Sequence, residues 1–156
     1  MKHLLPLLAL GLLSSSTPQP QPSTVTFRAE WLDSDSLLIS LEAENCAIWY
    51  AETALNYDPN DGALAGWRLY ADPLGFWLRT LSTHDERGTI DLHVGTDWDT
   101  QEPAEGYVEL AVVHLHWFNQ AGEVNWDELL SKVYIVGGEP DNVIFIDPAC
   151  FEEETQ

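Results

Sequence analysis

The chain has 156 residues and a formal net charge of −20, from 26 Asp and Glu against 6 Lys and Arg. A surface that acidic repels phosphate backbones and anionic lipid, which argues against nucleic acid and membrane surfaces as ligands and favours a neutral or basic partner. With 45% hydrophobic residues, the length suits one packed domain and is short for two.

Met1, Lys2 and His3 make a short basic start, residues 4–13 are almost continuously apolar, and Ser14, Ser15 and Ser16 follow. This is the layout of a secretory signal peptide over 1–16, its apolar run about half of the roughly 20 residues that cross a bilayer. The expectation is export to a secreted, cell-surface or periplasmic location, with no membrane insertion after cleavage. Residues 17–23, TPQPQPS, read as an extended, solvated Pro/Gln-rich linker. The folded domain is expected over 24–150, followed by an acidic tail, 151–156. Two cysteines, Cys46 and Cys150, would then sit in an oxidising compartment. A disulfide between them is expected, the alternative being two buried thiols.

Val25, Phe27, Ala29 and Trp31 alternate with Thr26, Arg28 and Glu30, the period of a strand with one buried face. Asp33-Ser34-Asp35 turns the chain into Leu37, Ile39, Leu41 and Ala43, a second strand that forms a hairpin with the first. The strongest pattern runs over 46–57. Trp49, Ala51, Leu55 and Tyr57 are assigned to the core, and Tyr50, Glu52 and Asn56 to the opposite face. Pro59 cannot donate to a ladder and restricts Asp58, so this strand stops near Tyr57. Residues 63–70 are less regular, with a short strand around 67–69. Residues 76–81 and 89–94 read as strands, the latter pointing Asp91 and His93 outward. After a polar loop over 95–106 comes a long strand, 107–118. In it Ala111, Val113, Leu115 and Trp117 share one face and Val112, His114, His116 and Phe118 the other. Residues 124–130 do not alternate and suggest one helical turn or an irregular crossing. Strands over 132–136 and 143–146 complete an all-β chain of eight or nine short strands, a sandwich or barrel.

The order of these pieces resembles the cohesin domain and related carbohydrate-binding modules. The resemblance rests on AETALNYDP at 51–59, GTIDL at 88–92, and GYVELA at 106–111 running into VHLHW at 113–117, within a match over roughly 25–146. It implies a nine-stranded jelly-roll sandwich, with dockerin recognition on the outer face of one sheet. It also implies that the strand with Asp91 and His93 lies beside the strand with His114 and His116. On that basis the partner-binding residues are Tyr50, Glu52, Asn56, Asp91, His93, His114, His116, Lys132 and Tyr134. Aromatic and imidazole rings among a few polar groups suit a protein interface. His93, His114 and His116 are also the candidates should a metal bind, although no metal is expected.

Seven Trp residues raise a glycan-binding alternative, with Trp67, Trp77, Trp98 and Trp126 as the stacking candidates and Trp31, Trp49 and Trp117 assigned to the interior. No cofactor is expected. Calcium finds weak support in Asp58, Asn60 and Asp61, and again in Asp97, Asp99 and Glu102, neither set having the spacing of a twelve-residue calcium loop. With no nucleophile elbow, no HExxH and no phosphate-cradling Gly loop, an enzyme is not expected. The reading is a secreted, non-catalytic module that binds a protein, dockerin-like or another surface protein. The alternatives are a carbohydrate-binding module or a structural subunit of an extracellular assembly.

Overall fold

The computed structural model describes residues 20–69, 76–96, 104–119 and 122–149. Nine strands follow in chain order: β1 (Thr24–Trp31), β2 (Ser36–Tyr57), β3 (Gly62–Leu69), β4 (Phe76–His84), β5 (Thr89–Thr96), β6 (Ala104–Trp117), β7 (Val124–Trp126), β8 (Lys132–Ile135) and β9 (Asn142–Ile146). A single 3₁₀ turn, Asp85–Arg87, joins β4 to β5. The architecture is a jelly-roll β-sandwich.

β2 organises it. The two strands expected over 37–43 and 46–57 are one continuous strand of 22 residues, bent at Asn45, whose φ is 57°. Asn tolerates this left-handed conformation better than most residues with a side chain. Before the bend β2 lies between β1 and β6, giving a first layer in the order β3-β6-β2-β1-β9. After it, β2 pairs with β5 on one side and with β8 and then β7 on the other, and β4 closes the β5 edge to give the second layer. The expected β1–β2 hairpin is present, closed by Leu32 N–H donating to the Ser36 carbonyl at 2.8 Å.

Alternation fills the space between the layers. Val25, Phe27 and Ala29 from β1 meet Leu37, Ile39 and Leu41 from β2, with Ala51, Leu55, Ile90, Leu92, Leu110, Val113 and Leu115 from the strands around them. At the centre the fully buried Phe27 ring stacks on Phe145 with centroids 5.3 Å apart and tilts against Trp126 at 5.7 Å. Burial of one such side chain stabilises the fold by about 2–3 kcal/mol. A register shift between Ile39 and Ser40 leaves Leu110 and Ala111 both buried on β6, a bulge that resets the parity of that strand.

Several expectations need correction. Trp49 was assigned to the core, but a shift in the β2–β8 register between Ile48 and Tyr50 gives the core position to Ile48 and leaves Trp49 half-buried. The segment 124–130 holds no helix: it is the short strand β7 followed by a turn. Residues 62–69 form a full strand, β3, whose shift between Leu64 and Gly66 explains the blurred alternation. Cys46 carries a free thiol, which donates to the Thr24 carbonyl at 3.6 Å, so the expected disulfide is not formed. The parallel β1–β9 pairing sets Asn142 beside Thr24 and Ile146 beside Arg28, so β9 carries the chain away from the Cys46 end; Cys150 itself lies outside the described residues. None of the described helices is long and apolar enough to cross a membrane.

Candidate functional site

The outer face of the second layer collects seven of the nine expected partner-binding residues. Alternation along β2 turns Ala51, Thr53, Leu55 and Tyr57 inward, leaving Tyr50, Glu52 and Asn56 half-exposed on the other side. Antiparallel register then sets their neighbours. Glu52 lies opposite His93 on β5 and Lys132 on β8, Tyr50 opposite Gly95 and Tyr134, and Asn56 opposite Thr89 and Asn125. Directly opposed residues share a face with Cβ atoms about 5 Å apart, so these side chains form cross-strand rows. Asp91 pairs in register with Ala54 and with Ser82 of β4.

Contacts within the face follow from the rows. Gly95 leaves space beside Tyr50, whose ring leans toward β5 until its hydroxyl reaches His93 Nδ1 at 2.8 Å. Burial first, then the charges of Glu52 and Tyr134, push the Tyr50 phenol above its ordinary pKa. The phenol therefore keeps its proton, and which of Tyr50 Oη and His93 Nδ1 donates depends on the imidazole tautomer. Tyr134, 47% exposed, has its ring 6.2 Å from that of Tyr50. Lys132 Nζ lies 3.7 Å from Glu52 Oε2, and His84 Nε2 3.3 Å from Asp91 Oδ2. Exposed pairs of this kind stabilise little. Asn56 is fixed from both sides, accepting from Thr89 Oγ1 at 3.1 Å and donating to Asp127 Oδ2 at 3.0 Å.

His114 and His116 lie elsewhere. Their strand, β6, pairs with β2 before the bend and with β3, whereas β5 pairs with β2 after the bend and with β4. The two histidines therefore face outward from the first layer, and the expected row with His93 does not exist. The cause is the count of strands: leaving β3 out of the numbering makes β5 and β6 sheet neighbours. His114 Nδ1 is 3.0 Å from Ser36 Oγ, and the His116 ring sits edge-on to Phe118 with centroids 6.0 Å apart. Among the described residues no three His, Cys, Asp or Glu side chains are grouped to hold a metal. Asp58 is occupied as a turn cap, its Oδ1 accepting from Asn60 N–H and Asn60 Nδ2 at 2.8 Å each. Asp97, Asp99 and Glu102 lie outside the described residues.

Of the glycan candidates, Trp67 is 47% exposed on the edge strand β3, while Trp126 is 8% exposed, its Nε1–H donating to the Ile146 carbonyl at 2.8 Å. Trp126 is thus a core residue and is removed from the stacking candidates. Only the backbone of Trp77 is described, in β4, and Trp98 lies outside the described residues. The sequence reading missed His84 and Asp127, which complete the hydrogen-bonded surface of the face. Asp127 acts through Asn56, 71 residues away, which leaves no local pattern, whereas His84 reaches Asp91 across the β4–β5 turn. Beside Asn56 an open groove of about 500 Å³ continues from the face, lined in part by Asp58, Asp61 and Glu123.

No protein-family model matches the chain, and no curated protein matches it in sequence. Solved structures do match. One is the cohesin of a CaDoc0917–CaCohA2 complex, with a TM-score of 0.64 and 11% identity over 80% of this chain and 96% of that one. The fold is that of the cohesins. The third cohesin of ScaC from Acetivibrio cellulolyticus, in complex with the ScaB dockerin, matches with a TM-score of 0.60 and 14% identity over 81% of this chain and 95% of that one. A non-cellulosomal cohesin from the archaeon Archaeoglobus fulgidus matches with a TM-score of 0.55 and 15% identity over 80% and 88%. Counting β2 as two strands and β7 with β8 as one, this cohesin-like chain has the nine strands that its sequence resemblance implies, with β4, β5, the second half of β2 and β8 in the layer that carries the face.

Proposed function

We propose that the chain is an exported, non-catalytic module that binds a protein partner through the outer face of the second layer. The observation that carries this reading is the half-exposed Tyr50–His93–Tyr134 group, with Glu52 and Lys132 beside it in register. The hydrogen-bonded Tyr50 and His93, with the Tyr134 ring beside them, offer contact area at low entropic cost, as interface anchors do. Two of the similar cohesin structures are complexes with dockerins, which makes a dockerin-like domain the first partner to test. The charge of −20 favours a partner whose contact surface is basic. Export rests on the signal-like segment 1–16.

Calorimetric titration of the full chain with CaDoc0917 and with the ScaB dockerin tests the proposal. Saturable one-to-one binding, weakened at least about tenfold by Tyr134→Ala, supports it. Failure of both dockerins, and of a wider dockerin panel, to bind the folded chain removes dockerins as the partner class. The carbohydrate alternative is left with Trp67 as its described aromatic; tryptophan fluorescence that does not respond to polysaccharides would dismiss it.

A further inference from the structure

Between β7 and β8 the chain turns through Asp127, Glu128, Leu129, Leu130 and Ser131. Leu129 is 93% exposed and Leu130 49% exposed. The fold has no need of either, because Trp126 before the turn and Val133 after it supply the buried side chains of this edge. Single exposed leucines are ordinary. Two in succession on a turn held rigid from below are a different matter.

The turn is fastened to β2 at both ends. Asp127 N–H donates to the Ala54 carbonyl at 2.8 Å, and Asp127 Oδ2 accepts from Asn56 Nδ2 at 3.0 Å. Asp127 Oδ1 accepts from the backbone N–H of Leu129 at 3.2 Å and of Leu130 at 3.3 Å. Ser131 Oγ donates to the Asp127 carbonyl at 2.9 Å and lies 3.2 Å from Thr53 Oγ1. One carboxylate thus caps the turn and ties it to the face through Asn56. The backbone entropy of presenting the two leucines is already lost in the free protein, so a partner need not supply it on binding.

The turn leads directly into β8, so Leu129 and Leu130 stand at the rim of the face that bears Tyr134 and Tyr50. Among the described residues next to them in sequence and register are Asp127, Glu128 and Glu52, with Lys132 paired to Glu52, on a chain of net charge −20. Two copies of so acidic a surface repel each other, which disfavours self-association here.

We infer that the Leu129–Leu130 turn is an apolar anchor of the interface, and that it seats in an apolar concavity rimmed by Lys or Arg on a partner protein. The inference rests on the protein-binding reading of the face. It is tested by selecting binders to the full chain from a display library built on a small three-helix scaffold, then measuring their affinities for the parent, Leu129→Ser, Leu130→Ser, Asp127→Ala and Tyr134→Ala. The expected result is dominant binders with Lys- and Arg-rich contact surfaces whose affinity falls at least about tenfold with each Leu→Ser variant and also falls with Asp127→Ala, which keeps both leucines but loosens the turn. Unchanged denaturation midpoints for the exposed Leu→Ser variants separate this from unfolding. Binders indifferent to both Leu→Ser variants but weakened by Tyr134→Ala overturn the anchor and leave the face standing. Binders indifferent to all of these substitutions overturn both. A parent that light scattering finds dimeric, and Leu129→Ser returns to monomer, replaces the partner protein with a second copy and overturns the inference.

Discussion

The two halves of β2 carry the same alternation and end in different environments. Before Asn45 both faces of the strand are covered: Leu37, Ile39 and Leu41 point into the sandwich, yet Ser36, Leu38 and Ser40 on the other side are buried too. Their register neighbours on β1 and β6 are Arg28, Glu30, Glu109, Val112 and His114. Past the bend the inner face is equally buried, but Tyr50, Glu52 and Asn56 rise half-exposed and are held by contacts with one another's neighbours. The first half builds a closed surface and the second a presented one.

The largest effect expected from breaking this contrast is in the shared core. Phe27→Ala should lower unfolding free energy by about 3–5 kcal/mol in chemical denaturation, since it removes the ring against which Phe145 and Trp126 pack. Next is the turn between β4 and β5, which belongs to the second layer alone. Gly88 has φ 63°, and a Cβ there would stand 1.9 Å from the Tyr57 carbonyl oxygen. Its own carbonyl accepts from Tyr57 N–H at 2.8 Å. Gly88→Ala should cost about 2 kcal/mol or more, and hydrogen exchange should rise first at the β5 end of the second layer.

A smaller effect separates the two outer faces directly. Tyr134→Ala should weaken partner binding at least about tenfold, while His114→Ala on the first layer should leave it within about twofold. Equal losses from both would erase the distinction between the presented and the closed half. The smallest effect is in the turn that starts the first half. A hydrogen bond from the Ser36 side chain, helped by the Asp35 backbone N–H, lowers the pKa of Asp33 from 3.8 to about 2. A carboxylate with a depressed folded pKa contributes stability that is complete above the unfolded value and fades as pH falls through the folded one. Asp33→Asn should therefore be slightly less stable than the parent above about pH 4, with the two curves converging toward pH 2.

The strand pattern was legible because alternation is local: the inward sets on β1, on β2 apart from Trp49, and on the upper part of β6 are those the sequence names. Parity likewise placed Tyr50, Glu52, Asn56, Asp91 and His93 on outward faces, while the cohesin resemblance added Lys132 and Tyr134 to theirs. What failed were statements about neighbours. Gly66 and the shift beside it hid β3, and one uncounted strand moved His114 and His116 into the wrong layer. A single-residue shift exchanged Trp49 for Ile48, as any slip of a period-two pattern must. Trp126 looked free because its segment does not alternate, yet its partners Phe27, Phe145 and Ile146 come from the two ends of the domain.

By itself, then, the sequence determined an all-β chain, its turns and the parity of each strand, because side chains two apart on an extended backbone share a face whatever the fold. It also determined the strong acidity of the chain. Only the tertiary structure decided that β2 bends at Asn45 and serves both layers, that Cys46 lies at the end of β1 from which β9 departs, and that Leu129 and Leu130 stand in solvent. Those outcomes depend on which strand lies beside which, and hydrogen-bonded pairing across long loops leaves no periodicity in the residues that make it.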